Sequence, residues 1–354
     1  MNGSARVGHR KNAEAVALEW QTGANALRVA EGAAQGELAG EGLAVWLQRE
    51  VFASWVACGA FEWVALGYLG MSSALIVLFA DNLAHPMHLV GAQFVVAALI
   101  FVLCRVEARA AEHARRNGET LSTRRWHFWR HWYPHLFFLF CFEELGKLVH
   151  LVNPGWEDAK LIAFDHWLTG VHPAVWLEQF ATPARNDFIQ FAYLTYFVYL
   201  LVLGGILYYR RDWSGYWAVM TYSAVGYAIG YVIAISFPIE SPWFAMAGAW
   251  HDELRGGAAT AVINFIEHFG RVRGAAFPSE HVAGSFAALW GAWRHKRWLF
   301  WVMLPLVLCM CVSTVWGRYH YVADIFGGMI TGTLGYAIGA WLMKKRGAVA
   351  APAE

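Results

Sequence analysis

Apolar positions in this chain gather into runs of roughly 17 to 25 residues, the length a helix needs to cross a hydrocarbon core. In order they predict eight spans: Trp55 to Ala80, Leu89 to Cys104, His135 to Val152, Phe188 to Tyr208, Trp217 to Phe237, Val282 to Trp293, Leu299 to Val315 and Ile325 to Leu342. The sixth is short unless it begins near Pro278. The polar loop from Asn153 to Asp187 predicts two consecutive short interfacial helices, with Trp156, Trp167 and Trp176 at headgroup level. Pro238 and Pro242 end the fifth span, and a longer loop then reaches His281. Residues up to Glu50 mix Ala, Gly, Glu and Arg and predict at most short surface helices around Leu18 and Leu43. The expected fold is all-α, a polytopic transmembrane helix bundle of about eight spans. Its divisions are a polar N-terminal tail (1–50), two additional transmembrane helices with a basic loop (51–134), a membrane core (135–343) and a C-terminal tail (344–354).

Composition agrees with a membrane: 58% of residues are hydrophobic and 15% charged, where soluble domains carry about a quarter. The net charge of +1 leaves no basic excess to neutralise a nucleic-acid backbone, so no nucleic-acid partner is expected. The five cysteines fall in or beside apolar runs without metal-ligand spacing and read as small hydrophobes. Basic residues cluster after the second, fourth, sixth and eighth spans, at Arg105 to Arg130, Arg210 and Arg211, Arg294 to Arg297, and Lys344 to Arg346. The positive-inside tendency places these ends and both termini in the cytoplasm of a bacterial-type inner or plasma membrane. The Asn153 loop, the Pro238 to His281 loop and the Arg318 to Asp324 loop then emerge on the extracytoplasmic face. Glu143, Glu144 and Lys147 fall inside the third span, where they read either as mutual neutralisation or as part of a transport path. Gly226 with Gly230, and the glycines at 327, 328, 332, 335 and 339, read as close helix contacts.

Two polar stretches carry candidate chemistry. In Gly274 to His281, Ser279 follows a proline and predicts an N-cap, an end whose backbone N–H groups suit an anion. His281 falls in the first turn behind it. In Gly317 to Asp324, His320 and Asp324 are four apart, so on a helix they share a face and the carboxylate can fix the imidazole tautomer. Arg273 and Arg318 are close in sequence to the two histidines. This set suits phosphoryl transfer with no metal or other cofactor. A metal site built from His281, His320 and Asp324 stays open at this stage, as does a transporter or lipid flippase using Glu143, Glu144 and Lys147.

Phe-Pro-Ser-x-His at 277–281, followed some forty residues later by His-Tyr-x-x-Asp at 320–324, resembles the type 2 phosphatidic acid phosphatase superfamily. Within it the chain is most similar to the branch of the aureobasidin-sensitive inositol phosphorylceramide synthases, whose proline-rich turn resembles Pro238 to Pro242. The resemblance covers roughly Asp165 to Trp341 and implies a six-helix phosphatase-type core. It implies that His320 attacks phosphorus to give a phosphohistidine, Asp324 orients it, His281 protonates the departing alkoxide and Ser279 helps hold the phosphoryl oxygens. The implied substrate is a lipid phosphate or phospholipid, with water or an alcohol as acceptor. The chain departs from the superfamily in lacking its Lys-x6-Arg-Pro motif and in having Ser313-Thr314 where relatives have Ser-Arg. Arg318 and Arg273 are the expected replacements as phosphate contacts. Glu280 stands where relatives have glycine or an apolar residue, and beside a phosphate it is expected to need an arginine partner.

Overall fold

The computed structural model describes residues 43–118, 125–270 and 272–349. The helix expected around Leu18, the loop residue Arg124 and the chain beyond residue 349 lie outside the described residues. The first span differs from expectation at its start. Helix α1 (Leu43–Ala57) is separated from α2 (Ala60–Leu78) by a break at Cys58 and Gly59, where the Gly59 N–H donates to Glu62 Oε2 at 2.6 Å. Trp55 therefore belongs to α1, and the membrane-crossing helix begins at Ala60. The second span is longer than its apolar run, because α3 covers Pro86–Asn117. Its basic end is helix rather than loop: Arg105 and Arg109 reach Glu50 of α1 at 2.9 and 2.8 Å, and Arg116 bonds Glu112 one turn back.

Helix α4 (Arg125–Leu148) follows, then two short helices, α5 (Asp158–Thr169) and α6 (Pro173–Glu178), in the polar loop. Trp167 and Trp176 are exposed on them, as a headgroup belt requires. The fourth span is α7 (Pro183–Leu194) and α8 (Tyr196–Tyr209), offset at Thr195, and the fifth is α9 (Trp213–Ser236). The long loop holds α10 (Pro242–Ala245) and an unexpected helix, α11 (Ala258–Gly270). Asp187 caps α11 by accepting from the Thr260 N–H at 2.9 Å and hydroxyl at 3.0 Å, and Ile263 is wholly buried. The last three helices are α12 (Glu280–His295), α13 (Arg297–Trp316) and α14 (Val322–Val349).

Among the described residues, six helical stretches are long and apolar enough to cross a membrane: α2, α3, α7 with α8, α9, α13 and α14. The chain is thus an integral, multi-pass all-α bundle with no strand among the described residues. The other two expected spans form helices that fall short of that measure. Helix α12 has 16 residues, and α4 carries Arg130, Glu143, Glu144 and Lys147. Arg130 pairs with Glu62 at 2.8 Å, and Tyr133 donates to Glu62 at 2.6 Å, which ties α4 to α2. Glu144 accepts from Gln93 at 2.8 Å, so its polar partner lies on α3.

Helices α9, α12 and α14 form the centre of the bundle. A Cβ at Gly332 would strike the Ala283 carbonyl, and one at Gly328 would strike the Ser279 carbonyl, so α14 lies against α12 only because both positions lack side chains. That contact holds the N-termini of α12 and α14 side by side. At the opposite end, Lys296 approaches Asp212 at 3.9 Å and joins the α12–α13 and α8–α9 turns.

Candidate active site

The N-terminus of α12 is shaped by Pro278, which follows a cis peptide bond, and by Ser279, whose hydroxyl accepts the Val282 N–H at 3.4 Å. The Ser279 N–H donates to the Asp324 carbonyl at 3.1 Å, joining the two polar stretches directly. On the α14 side, Asp324 Oδ2 accepts the Tyr321 N–H at 2.8 Å and lies 3.2 Å from His320 Nδ1. His320 Nδ1 is also 2.9 Å from the Ala276 carbonyl, which can only accept, so the Nδ1 proton is fixed and the lone pair falls on Nε2. Nε2 stands 3.2 Å from His281 Nδ1, and the Tyr193 hydroxyl lies 2.8 Å from His281 Nε2. The result is an unbroken line from Tyr193 through His281 and His320 to Asp324. It borders a cavity of about 390 Å³ that reaches Phe138, Tyr196 and Tyr231.

The structure therefore brings His281, His320, Asp324 and the Ser279 cap together. It places the two arginines differently. Arg318 has φ +66°, a left-handed conformation that non-glycine residues rarely adopt. Its guanidinium is buried 4.3 Å from the Trp250 ring, donates to the Asp252 carbonyl at 2.8 Å and approaches Glu178 at 3.6 Å. Burial lowers the Arg318 pKa from its ordinary value, and the Glu178 carboxylate opposes that shift. Arg273 is paired with Glu240 and sits over the rings of Trp156 and Phe244, with its side chain more than half exposed. Thr314, at the position where relatives carry arginine, is wholly buried, and its carbonyl accepts the Tyr319 and His320 N–H groups at 3.0 and 3.1 Å.

Sequence reasoning missed several residues that shape this site. Tyr193 is one, on α7. Asp158 and Asp165 are others, seven apart and so on one face of α5. Asp165 accepts the N–H groups of Val322 and Ala323 at 2.8 and 3.0 Å. Asp158 accepts the Glu240 and Ser241 N–H groups at 2.9 and 3.3 Å and the Tyr321 hydroxyl at 2.8 Å. Burial raises the pKa of both carboxylates and outweighs the hydrogen bonds, which lower it. The acidic repeat on a short interfacial helix was the available signal. Among the described residues no group of three or more His, Cys, Asp or Glu side chains is arranged to hold a metal ion.

Comparison with known protein families matches residues 159–338, just over half of the chain, to the PAP2 superfamily. Neither the curated proteins nor the solved structures yield a significant match. The matched segment runs from α5 into α14 and contains every member of the Tyr193–His281–His320–Asp324 line. Four of the six long apolar stretches, α7 with α8, α9, α13 and most of α14, fall within it, while α2 and α3 precede it, and the membrane helices fit a membrane lipid phosphatase. On that match, the chain belongs to the PAP2 superfamily.

Proposed function

We propose that this protein is an integral-membrane lipid phosphatase or phosphotransferase that works through a phosphohistidine on His320. The observation that carries the proposal is the orientation of His320: Nδ1 is held by Ala276 and Asp324, while Nε2 faces His281 at the cavity. The Nε2 lone pair attacks phosphorus, the P–O bond to the lipid alkoxide breaks, and His281 gives that alkoxide its proton. Water or an alcohol then attacks phosphorus, the N–P bond breaks, and His281 takes the acceptor's proton. Asp324 and the Ala276 carbonyl stabilise the positive charge that develops on the His320 ring. The first-turn N–H groups of α12, positioned by Ser279, face the phosphoryl oxygens. Arg318 and Arg273 add charge by exchanging Glu178 and Glu240 for the phosphate.

The apolar cavity walls suit a lipid chain. The turn at Pro238 to Pro242 and the Ser-Thr pair at 313–314 favour a synthase-like enzyme with an alcohol acceptor, such as an inositol hydroxyl. Arg210, Arg211, Arg297, Lys344 and Lys345 gather at helix ends remote from the histidines, which supports cytoplasmic termini and an extracytoplasmic site.

The test uses the full chain purified in detergent with ³²P-labelled lipid phosphates and phosphodiesters, with and without alcohol acceptors. Rapid quenching is expected to trap acid-labile, base-stable label on the wild type and none on His320→Ala. Release of phosphate by His320→Ala at the wild-type rate would overturn the mechanism. Products formed with alcohols present distinguish transfer from hydrolysis.

A further inference from the structure

The one proton of the Tyr193 hydroxyl has two acceptors within reach. The hydroxyl lies 2.8 Å from His281 Nε2 and 3.4 Å from Glu267 Oε1. A carboxylate can only accept, so when the proton goes to Glu267 the Tyr193 oxygen is left to accept from an Nε2–H of His281. At the other edge of the same ring, His281 Nδ1 faces His320 Nε2, where the bond from His320 Nδ1 to the Ala276 carbonyl has left a lone pair. Nδ1 must then donate as well. All these contacts are met together only when His281 carries a proton on both nitrogens, the form that can give one to a departing alkoxide. That form is cationic and sits against the Tyr196 ring, 4.6 Å away, where an anion is needed to balance it.

Glu267 reaches Tyr193 because α11 is registered against α7. Asn186 donates to the Leu254 and Arg255 carbonyls ahead of α11, and Asp187 accepts from Thr260 in its first turn. Tyr193 and Glu267 meet about two turns further along the two helices, at the cavity that both border. The other titratable side chains around His281 are His320 from the α13–α14 turn, Tyr196 from α8, and Tyr227 and Tyr231 from α9, with Glu143 and Glu240 across the cavity. Glu240 is held by Arg273. Glu280, expected beside the phosphate with an arginine partner, instead has its carboxyl against Gly230 of α9.

We propose that Glu267 is a positioning residue for the reaction: acting through Tyr193, it fixes the Nε2 proton of His281 and balances the doubly protonated ring, so that Nδ1 is the nitrogen that exchanges protons with the substrate. This deepens the phosphoryl-transfer reading and rests on it for the role of His281. In the first half, Nδ1 gives its proton to the lipid alkoxide as the P–O bond breaks, and His281 stays neutral with Nε2–H still bonded to Tyr193. In the second half, the acceptor oxygen bonds phosphorus, its proton passes to Nδ1 and the N–P bond breaks, which restores the starting form. Glu267 stays a carboxylate throughout. Ala276 and Asp324 treat His320 in the same way, fixing Nδ1–H and leaving Nε2 to react.

Wild type and Glu267→Gln are compared as full chains in detergent on two phosphomonoesters, a long-chain alkyl phosphate and nitrophenyl phosphate. The alkoxide must be protonated as it leaves and nitrophenolate need not be. Glu267→Gln is therefore expected to lower kcat/KM about tenfold for the alkyl ester and less than about twofold for the nitrophenyl ester. An equal fall on both, or a fall on neither, would overturn the proposal. In parallel, ¹⁵N-histidine spectra, with the His281 signal assigned from His281→Asn, follow protonation of the ring. The midpoint is expected to fall by about one pH unit in Glu267→Gln, because an anion that favours the charged ring is lost. An unchanged midpoint would overturn the proposal. The wild-type spectrum decides by itself if the variant does not insert: neutral His281 is expected to keep Nε2–H, and the Nδ1–H tautomer would overturn the assignment. A shifted midpoint in a protein whose wild type cleaves neither ester would sink the phosphohistidine reading alone.

Discussion

Asp165 and Val322 lie 157 positions apart, and a hydrogen bond of 2.8 Å joins the Asp165 carboxylate to the Val322 N–H. Through it, the short helix α5 caps the helix that carries Asp324 in its first turn. Asp158, two turns earlier on α5, holds the Glu240–Ser241 turn and the Tyr321 hydroxyl in the same way. The geometry of His320 therefore depends on α5 although α5 lends the histidines no direct contact.

Replacing Asp165 with alanine removes that cap, a loss of about 1 kcal/mol by comparison with other helix N-terminal acceptors. The expected result is a lower Tm and a kcat that falls more than KM rises, because His320 and Asp324 lose alignment while the cavity keeps its walls. Asp165→Asn, which retains one acceptor oxygen, is expected to recover part of both. Paired melting and steady-state measurements in one detergent check this.

The same residue gives a pH dependence of known sign. Burial raises the Asp165 pKa in the folded chain above its ordinary 3.8. The folded state then holds this proton more tightly than the unfolded state, so the contribution to stability is complete below 3.8 and is lost as pH rises through the folded value. The Tm advantage of wild type over Asp165→Asn is expected to shrink across that window as pH increases. A gap that widened with pH would mean that the N–H groups of Val322 and Ala323 outweigh desolvation.

Tyr193→Phe deletes the hydroxyl 2.8 Å from His281 Nε2 and leaves the ring in place. Loss of a hydrogen bond to a histidine that cycles through a charged state is expected to lower kcat about tenfold, with a small change in Tm. A comparable fall in Tm with unchanged kcat would assign the hydroxyl to packing alone.

The parts of the fold and site legible in the sequence are those encoded by local periodicity. The eight apolar runs, the Ser279 cap and the four-residue spacing of His320 and Asp324 all belong to single segments. Each run forms helix, six of them long and apolar enough to cross a membrane and the first beginning at Ala60 rather than Trp55, and His320 lies just before α14 rather than on it, with Nδ1 still 3.2 Å from Asp324. The misses are of another kind. Helix α11 and the capping role of Asp165 depend on partners far along the chain, Asp187 for Thr260 and α14 for α5, which no local pattern encodes. The arginines show the same limit. Proximity of Arg318 to His320 in sequence suggested a shared phosphate, but the left-handed turn at Arg318 sends its side chain toward Glu178 and Trp250 while His320 faces the cavity.

Arg318 and Glu178 offer the sharpest test of how the phosphate is held. Both side chains are almost fully buried, so removing the guanidinium in Arg318→Ala leaves a carboxylate with reduced compensation, at a cost on the order of 3 kcal/mol. Glu178 keeps the N–H groups of His251 and Asp252, which limits that cost. In Glu178→Gln those N–H bonds survive, but Arg318 loses the Glu178 charge and keeps Trp250, the Asp252 carbonyl and the attraction of the Asp252 carboxylate. If the pair acts purely as a brace, each single variant is expected to destabilise, the double variant to cost less than their sum by about 0.5–3 kcal/mol, and inorganic phosphate to protect wild type and Glu178→Gln equally. If Arg318 exchanges Glu178 for the phosphate, Glu178→Gln frees it in advance. Phosphate is then expected to raise the Tm of Glu178→Gln more than that of wild type and to have no such extra effect on the double variant. Equal phosphate protection would remove Arg318 from the binding set and leave that role to the α12 N-terminus and Arg273.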